Sequence, residues 1–176
     1  MTTAIDLRDW IRDIPDFPRP GIVFKDITPL LGEPRALAAA IELMAERVEP
    51  PEAVVAIESR GFVFGTGLAL RWQVPLVPAR KHGKLPGRTV RQAYALEYGE
   101  DALEIHADAL APRQSVVVVD DLVATGGTAA ATARLIERLD ARIAALLFLI
   151  ELRGLRARER LAPYRIEAVL SFDVAG

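Results

Sequence analysis

The sequence predicts an α/β fold with a doubly wound, mostly parallel sheet flanked by helices. The first observation is a run of four valines at residues 116–119, with no polar residue between them. Continuous β-branched runs are typical of strands that are covered on both faces, as in parallel sheets. The second observation is that strand-like and helical patterns alternate along the 176 residues without a repeat or a low-complexity linker. This alternation, at an ordinary single-domain length, predicts one domain over residues 1–176.

The first half of the chain contains four predicted elements. Apolar residues recur at spacings of four, three and four within residues 36–48, which predicts an amphipathic helix. A short buried strand follows at residues 53–57, and it ends at a polar loop, residues 58–61. A helix is predicted over residues 62–72, and the next strand over residues 74–78.

The second half begins with a basic stretch that contains glycine and proline. This stretch, residues 80–88, precedes a strand-like segment at residues 94–98. The remaining predicted elements are the valine strand at 115–119, a helix at 129–139, and strands at 141–149 and 166–172. The loop that follows the predicted strand at 74–78 is therefore long, and long loops in compact domains are often lids or binding loops.

The composition excludes several kinds of chemistry. The chain has no cysteine, which excludes disulfides, thiolate catalysis and cysteine-bound metals, and its two histidines are too far apart in sequence to favour a zinc site. Its formal net charge of −2 gives no overall electrostatic attraction to nucleic acid. No apolar stretch approaches the roughly 20 residues that cross a bilayer, and the first residues lack the apolar core of a signal peptide. We therefore expect a cytoplasmic protein that binds neither nucleic acid nor membrane.

Two carboxylates and a loop of small residues follow the valine strand. Asp120 and Asp121 can only accept hydrogen bonds when ionised, so they suit vicinal hydroxyls or a hydrated cation. The small residues at 124–128 precede a predicted helix, whose N-terminus would attract a phosphate. The alternative is that the acidic pair caps a helix and the two glycines form an ordinary turn.

Two further segments carry groups that suit phosphate. Arg60 lies at the end of the strand at 53–57, where ligands of parallel sheets bind, and its guanidinium offers a fixed fork of donors. The basic stretch at 80–88 could close over a site and neutralise an anionic leaving group. Each also has a simpler reading, a solvated arginine and a solvated loop.

In this order, the segments resemble the type I phosphoribosyltransferases, and the resemblance covers nearly the whole chain. The residues from Asp120 to Thr128 match the family's signature for phosphoribosyl diphosphate (PRPP). Residues 16–31, 80–87 and 94–99 resemble the purine segment and the hood of the adenine-specific members. The resemblance implies the type I fold with a small hood or lid, a purine-recognition segment at about 14–31 and a hood loop at about 80–99.

The resemblance also implies roles for individual residues. PRPP would be bound by Asp120, Asp121, Ala124, Thr125, Gly126, Gly127 and Thr128. Pyrophosphate would be bound by Ser59, Arg60, Gly61, Lys81 and Lys84, with Arg60 counted as catalytic as well. Adenine would lie against Val23, Phe24, Lys25 and Leu122, and Glu97 would be the acid/base at the purine. Mg²⁺ would be held by PRPP, with Asp120 and Asp121 as further ligands.

The implied reaction joins adenine to PRPP and gives AMP and pyrophosphate, and the family implies a homodimer. A strand-like segment such as residues 23–25 offers alternating backbone donors and acceptors, which match the amino group and N1 of adenine. An oxo purine would mismatch one of these groups. Phe24 could instead be an ordinary core residue, and Glu97 a solvent-facing strand residue. The alternative functions are a 6-oxopurine phosphoribosyltransferase and a PRPP-sensing regulator without catalysis.

Overall fold

A computed structural model of the chain describes residues 5–95 and 100–174. Its backbone contacts divide the chain into two compact units, Met1–Leu43 and Met44–Gly176. That the two units act as one domain stays a prediction. Among the described residues, no helix is both long and apolar enough to cross a membrane.

The first unit is made of short elements. A 3₁₀ helix, Leu7–Trp10, precedes an antiparallel pair of strands, β1 (Arg12–Ile14) and β2 (Phe24–Asp26). Ion pairs join residues that lie directly opposite each other on these strands, Arg12 with Asp26 at 2.6 Å and Lys25 with Asp13 at 2.7 Å. Helix α1 (Thr28–Gly32) follows β2, and helix α2 (Pro34–Ala45) runs to the end of the unit and two residues past it.

The second unit is built on a seven-stranded sheet. Its strands are β3 (Ala53–Ile57), β4 (Leu76–Lys81), β5 (Thr89–Ala95), β6 (Glu100–His106), β7 (Ser115–Val123), β8 (Arg142–Arg153) and β9 (Ile166–Asp173). They lie in the order β5-β6-β4-β3-β7-β8-β9. The five strands from β4 to β9 in that order are parallel, whereas β5 and β6 form an antiparallel hairpin at one edge.

Three helices connect the strands of this sheet. They are α3 (Gly61–Trp72), α4 (Gly127–Arg138) and α5 (Ala157–Arg160). The β3–α3–β4 and β7–α4–β8 crossovers leave the central β3–β7 pair in opposite directions. Because such crossovers are right-handed, α3 and α4 lie on opposite faces of the sheet, which confirms the doubly wound prediction.

The centre of the sheet is the core of the second unit. All five residues of β3 are buried, and so are the four valines at 116–119 in β7. Their burial confirms that the valine run is a strand covered on both faces. The carboxyl ends of β3, β4 and β7 consequently lie next to one another at one edge of the sheet.

Several predicted boundaries were wrong. The valine strand does not stop at 119 but continues to Val123, because Asp120, Leu122 and Val123 pair with β8. Helix α4 begins at Gly127, so this glycine and Thr128 belong to its first turn. Helix α2 ends at Ala45 rather than at 48, where the chain turns ahead of two prolines. Residues 89–95 form β5, inside the segment predicted as the hood loop, so the strand expected at 94–98 was placed five residues too late. Residues 96–98 lie outside the described part of the chain.

Candidate active site

The acidic pair lies where the pairing of two central strands ends. The recorded pairing of β3 with β7 ends at Ala56 and Val119, so Asp120 and Asp121 follow the last paired residue of β7. Gly61, the first residue of α3, faces them closely. A Cβ on Gly61 would lie 2.8 Å from the Val119 carbonyl oxygen and 2.9 Å from Asp120 Oδ1. The absence of a side chain at Gly61 therefore allows the start of α3 to meet the acidic pair.

An open cavity of about 600 Å³ lies at this edge of the sheet. It brings together residues from three predicted motifs and from the β5–β6 hairpin. The lining residues are Glu58, Ser59, Arg60, Lys81, Tyr94, Asp101, Leu103, Asp120, Asp121, Leu122 and Thr128. The structure thus places half of the twelve predicted PRPP and pyrophosphate residues around one space.

An ion pair joins two of the motifs. Arg60 Nε lies 3.0 Å from Asp121 Oδ2, and the Asp121 side chain is only 4% exposed. Among the described residues, that oxygen accepts no hydrogen bond of good geometry. Burial raises the pKa of Asp121, although the charge of Arg60 opposes the rise. Asp121 Oδ2 is consequently a buried acceptor that a ligand donor or a cation could satisfy.

The second carboxylate of the pair is also perturbed. Burial and then the charge of Asp121 raise the pKa of Asp120 well above its ordinary value, while the Asp121 N–H opposes the rise by donating to Asp120 Oδ1 at 2.9 Å. Two adjacent carboxylates with little water around them resist being ionised together. A bound cation or a set of hydroxyl donors at this point would favour the doubly ionised form.

Glu58 is a central residue of the site that the sequence analysis did not single out. Its Oε2 accepts from Arg80 Nε at 3.2 Å and from the Lys81 N–H at 2.9 Å. Burial opposes ionisation, but the Lys81 N–H and Arg80 together lower the pKa of Glu58. Local sequence patterns do not indicate this role, because it depends on the register in which Ile57 pairs with Ala79 and the next residues along the two strands are Glu58 and Arg80.

The basic stretch is divided between β4 and a turn. Lys81 ends β4, lines the cavity and lies 3.3 Å from Asp101 Oδ2. Asp101 belongs to β6, a strand that was not predicted, and Tyr94 donates to the same oxygen at 3.3 Å. Lys84 does not line the cavity. Its carbonyl oxygen accepts from Arg80 Nη1 at 3.0 Å, so Lys84 lies close to the site without facing it.

The predicted phosphate loop forms a smaller, adjoining cavity. This space of about 130 Å³ is lined by Asp120, Leu122, Val123, Ala124, Thr125, Gly126, Gly127, Thr128, Ala129 and Phe148. Gly126 has a φ of 79°, which turns the chain into α4. The first N–H groups of a helix have no partner within it, so the start of α4 presents free donors here. The loop fits an anion of phosphate size.

The predicted adenine residues are divided between the two units. Val23, Phe24 and Lys25 lie in the first unit and Leu122 in the second, so their arrangement about a base stays a prediction. Phe24 is only partly buried and meets Phe17 edge to face, with 5.2 Å between ring centroids. Glu97 lies outside the described residues.

The described residues show no cluster of three or more His, Cys, Asp or Glu side chains that could hold a metal ion. A metal at the acidic pair would therefore need most of its ligands from a bound molecule or from water. Carboxylate oxygens are nevertheless ligands that Mg²⁺ accepts, and Asp120 and Asp121 are the candidates that line the cavity.

Comparisons with known proteins agree with this geometry. A model of the phosphoribosyl transferase domain matches residues 27–174. The adenine phosphoribosyltransferase of Synechococcus sp. is 52% identical over 171 residues, covering 96% of this chain and 100% of the relative. That of Carboxydothermus hydrogenoformans is 51% identical over 170 residues, with the same coverage.

Solved structures show the same similarity. The crystal structure of adenine phosphoribosyltransferase from Thermoanaerobacter pseudethanolicus matches with a TM-score of 0.92 and 48% identity, covering 94% of this chain and 98% of the other. The Saccharomyces cerevisiae enzyme, complexed with an imino-altritol bisphosphate and adenine, matches with a TM-score of 0.88 and 37% identity, covering 93% and 96%. The range matched by the family model includes every residue that lines the two cavities.

Proposed function

The chain belongs to the phosphoribosyl transferase family, and on this basis we propose that it transfers the 5-phosphoribosyl group of PRPP to adenine. The products are AMP and pyrophosphate, and the reaction is a step of purine salvage. One observation supports the proposal above the others. The acidic pair, the start of α4, and a rim bearing Arg60 and Lys81 enclose adjoining cavities, so acceptors for sugar hydroxyls lie beside donors for phosphate.

The proposed reaction breaks the C1′–O bond to pyrophosphate and forms a bond from adenine N9 to C1′. The protein supplies no nucleophile, so its contributions are positioning and charge stabilisation. Ser59, Arg60 and Gly61 are proposed to bind the pyrophosphate, with Lys81 and Lys84 adding positive charge. Glu58 contributes by fixing the ends of β3 and β4, because it binds both Arg80 and the Lys81 backbone.

The acidic pair is proposed to accept hydrogen bonds from the ribose 2′- and 3′-hydroxyls. The buried Asp121 Oδ2 and the raised pKa values of both carboxyls fit a partner that supplies protons or positive charge. The carboxylate oxygens of the pair also suit Mg²⁺, which would neutralise charge on the phosphates when bound. The 5′-phosphate is proposed to lie on the N-terminus of α4 against residues 124–128.

The base is proposed to be recognised by the first unit through backbone atoms at residues 23–25. The side chain of Lys25 supports this, because it is only 10% exposed and its ammonium donates to Asp13 at 2.7 Å and 2.8 Å. Phe24 and Leu122 are proposed to contact the ring faces. Glu97 is proposed to hydrogen-bond purine N7 and to manage the proton that N9 loses.

We propose that the active form is a cytoplasmic homodimer in which Arg80 and Lys81 also lie close to the neighbouring subunit's pyrophosphate site. Within its own chain, Arg80 already binds Glu58 and the Lys84 carbonyl. Neutralising both cations is expected to weaken dimerisation and PRPP binding together. Light scattering over a dilution series, run beside an activity assay, tests this. A fully active monomer at assay concentration would refute it.

The proposed function is tested by incubating the protein with PRPP, Mg²⁺ and one purine base at a time, and separating the nucleotide products. AMP from adenine, with little product from hypoxanthine, guanine or xanthine, is the expected result. A 6-oxopurine nucleotide as the main product would indicate a 6-oxopurine phosphoribosyltransferase instead. PRPP binding without any nucleotide product would indicate a regulator.

A further inference from the structure

Helix α5 is a single turn that nothing in the proposed mechanism uses. It comprises only Ala157–Arg160, and one turn of helix has no stability of its own. Its position must therefore be set by contacts with the rest of the second unit. Two of these contacts connect it to the proposed phosphate loop, one through a charged pair and one through apolar packing.

The charged pair joins α5 to the end of β8. Arg158 donates from Nε and Nη2 to the two carboxylate oxygens of Glu151, both at 2.7 Å. This bidentate bond lowers the pKa of Glu151 and raises that of Arg158. Glu151 is only 6% exposed, and it pairs in the sheet with Val123, the residue directly before the phosphate loop. The ion pair therefore attaches α5 beside the point where the loop begins.

The apolar contact joins α5 to the middle of the loop. Leu161, fully buried, and Ala157, 4% exposed, lie against Gly126. A Cβ on Gly126 would be 3.1 Å from Leu161 Cδ1 and 3.5 Å from Ala157 Cα. Gly126 holds a φ of 79° immediately before α4, so a shift of α5 would disturb the turn that presents the first N–H groups of that helix.

We propose that Arg158, Glu151 and Leu161 are positioning residues that hold the 5′-phosphate loop in its binding conformation. None of the three lines the PRPP cavities, and all of them act through the loop at residues 124–128. The inference rests on the proposed function to the extent that this loop binds a sugar 5′-phosphate. Its consequence is selective, because affinity for the phosphorylated sugar depends on α5 while the base, proposed to contact other residues, does not.

Arg158→Met tests the proposal, and Arg156→Met is the matched control. Arg156 directly precedes α5, carries the same charge and has a side chain that is 81% exposed. Its ion pair is with Glu159 at 4.0 Å, whereas Glu151 is bound by Arg158. The readouts are the Kd for ribose 5-phosphate by calorimetry, the KM values for PRPP and adenine, and thermal unfolding. Ribose 5-phosphate probes the loop without the pyrophosphate or the base.

We expect Arg158→Met to raise the Kd for ribose 5-phosphate and the KM for PRPP by about five- to tenfold, with less than about a twofold change in the KM for adenine. Arg156→Met should match the wild type, and Arg158→Lys should recover part of the loss. If Arg158→Met does not fold, Leu161→Ala decides the question, and the same selective loss is expected.

Two results would overturn the proposal. One is a Kd for ribose 5-phosphate that is the same in Arg158→Met and Arg156→Met, or in Leu161→Ala and the wild type if Arg158→Met does not fold. The other is an equal rise of both KM values, which would indicate general loosening of the fold. A wild type that binds ribose 5-phosphate but forms no AMP would refute the proposed function, and the Kd comparison would still decide the role of α5.

Discussion

Replacing Gly61 by alanine tests whether the acidic pair depends on the close approach of α3. The new Cβ would lie 2.8 Å from the Val119 carbonyl oxygen and 3.1 Å from Asp120 Cα, both backbone atoms of the buried strand β7. Ordinary contacts between carbon atoms begin at about 3.5 Å, so the start of α3 or the end of β7 must move by several tenths of an ångström.

The expected effect on stability is a balance of two terms. Overpacking of this kind costs about 1–3 kcal/mol, while alanine in place of glycine in a helix gains up to about 1 kcal/mol. The free energy of unfolding should therefore fall by roughly 1–2 kcal/mol, which lowers the Tm by about 2–8 °C for a chain of this size. The Cβ would also lie 2.9 Å from Asp120 Oδ1. Displacement of this carboxylate should lower kcat/KM for PRPP by on the order of 10²-fold.

Gly32→Ala is the matched control. Gly32 also lies in a helix, but a Cβ there would meet no atom within 4 Å. This variant should keep its activity and melt at the wild-type temperature or slightly above it. Thermal unfolding by circular dichroism and AMP formation at varied PRPP concentration are the assays. If Gly61→Ala and Gly32→Ala behave alike in both, the close approach has no importance for the site.

Three further predictions concern titratable groups. Asp120→Asn with Asp121→Asn should abolish PRPP turnover, and near-normal kinetics would contradict the role of the pair. Because burial raises the pKa of both carboxyls in the folded state, their ionisation lowers the stability of the fold as the pH rises, so the double variant should melt no lower than the wild type near pH 7. Glu97→Gln should lower kcat for adenine by on the order of 10²–10⁴. A drop smaller than about threefold would indicate that Glu97 is a solvent-facing strand residue without a role as acid/base. Hydrogen bonds from Thr28 and then Arg12 lower the pKa of Asp26 from 3.8 to about 2, so its contribution to stability is complete above 3.8 and is lost as the pH falls to about 2. Melting temperatures of Asp26→Asn and the wild type should converge over that range, and a constant difference between them would refute this.

Strands with fully apolar sequences were predictable from the sequence. β3 was predicted at its observed bounds, because five buried residues stand between prolines and a polar loop. The end of β7 was placed four residues too early, because Asp120 and Asp121 are polar and polar residues normally end a buried strand. The structure keeps them in the strand since β8 extends far enough to pair with Asp120 and Val123.

The hairpin and the contacts between motifs were much less predictable. β6 mixes polar and apolar residues without regular alternation, and β5 has Arg91 and Gln92 near its middle, so neither strand has the continuous apolar run of the central strands. Lys81 was predicted to bind pyrophosphate, but its contact with Asp101 depends on the pairing of β4 with β6, which local patterns do not specify. The bond between Glu58 and Arg80 likewise depends on the register of β3 with β4.

The measurement that tests the account most directly is a crystal structure of the protein with PRPP and Mg²⁺ bound. The account predicts that the 5′-phosphate lies within hydrogen-bond distance of backbone N–H groups at residues 126–128. It also predicts that the ribose hydroxyls meet Asp120 and Asp121, and that the pyrophosphate lies beside Arg60. PRPP bound with its 5′-phosphate away from the start of α4, or with its ribose away from the acidic pair, would contradict the central claim.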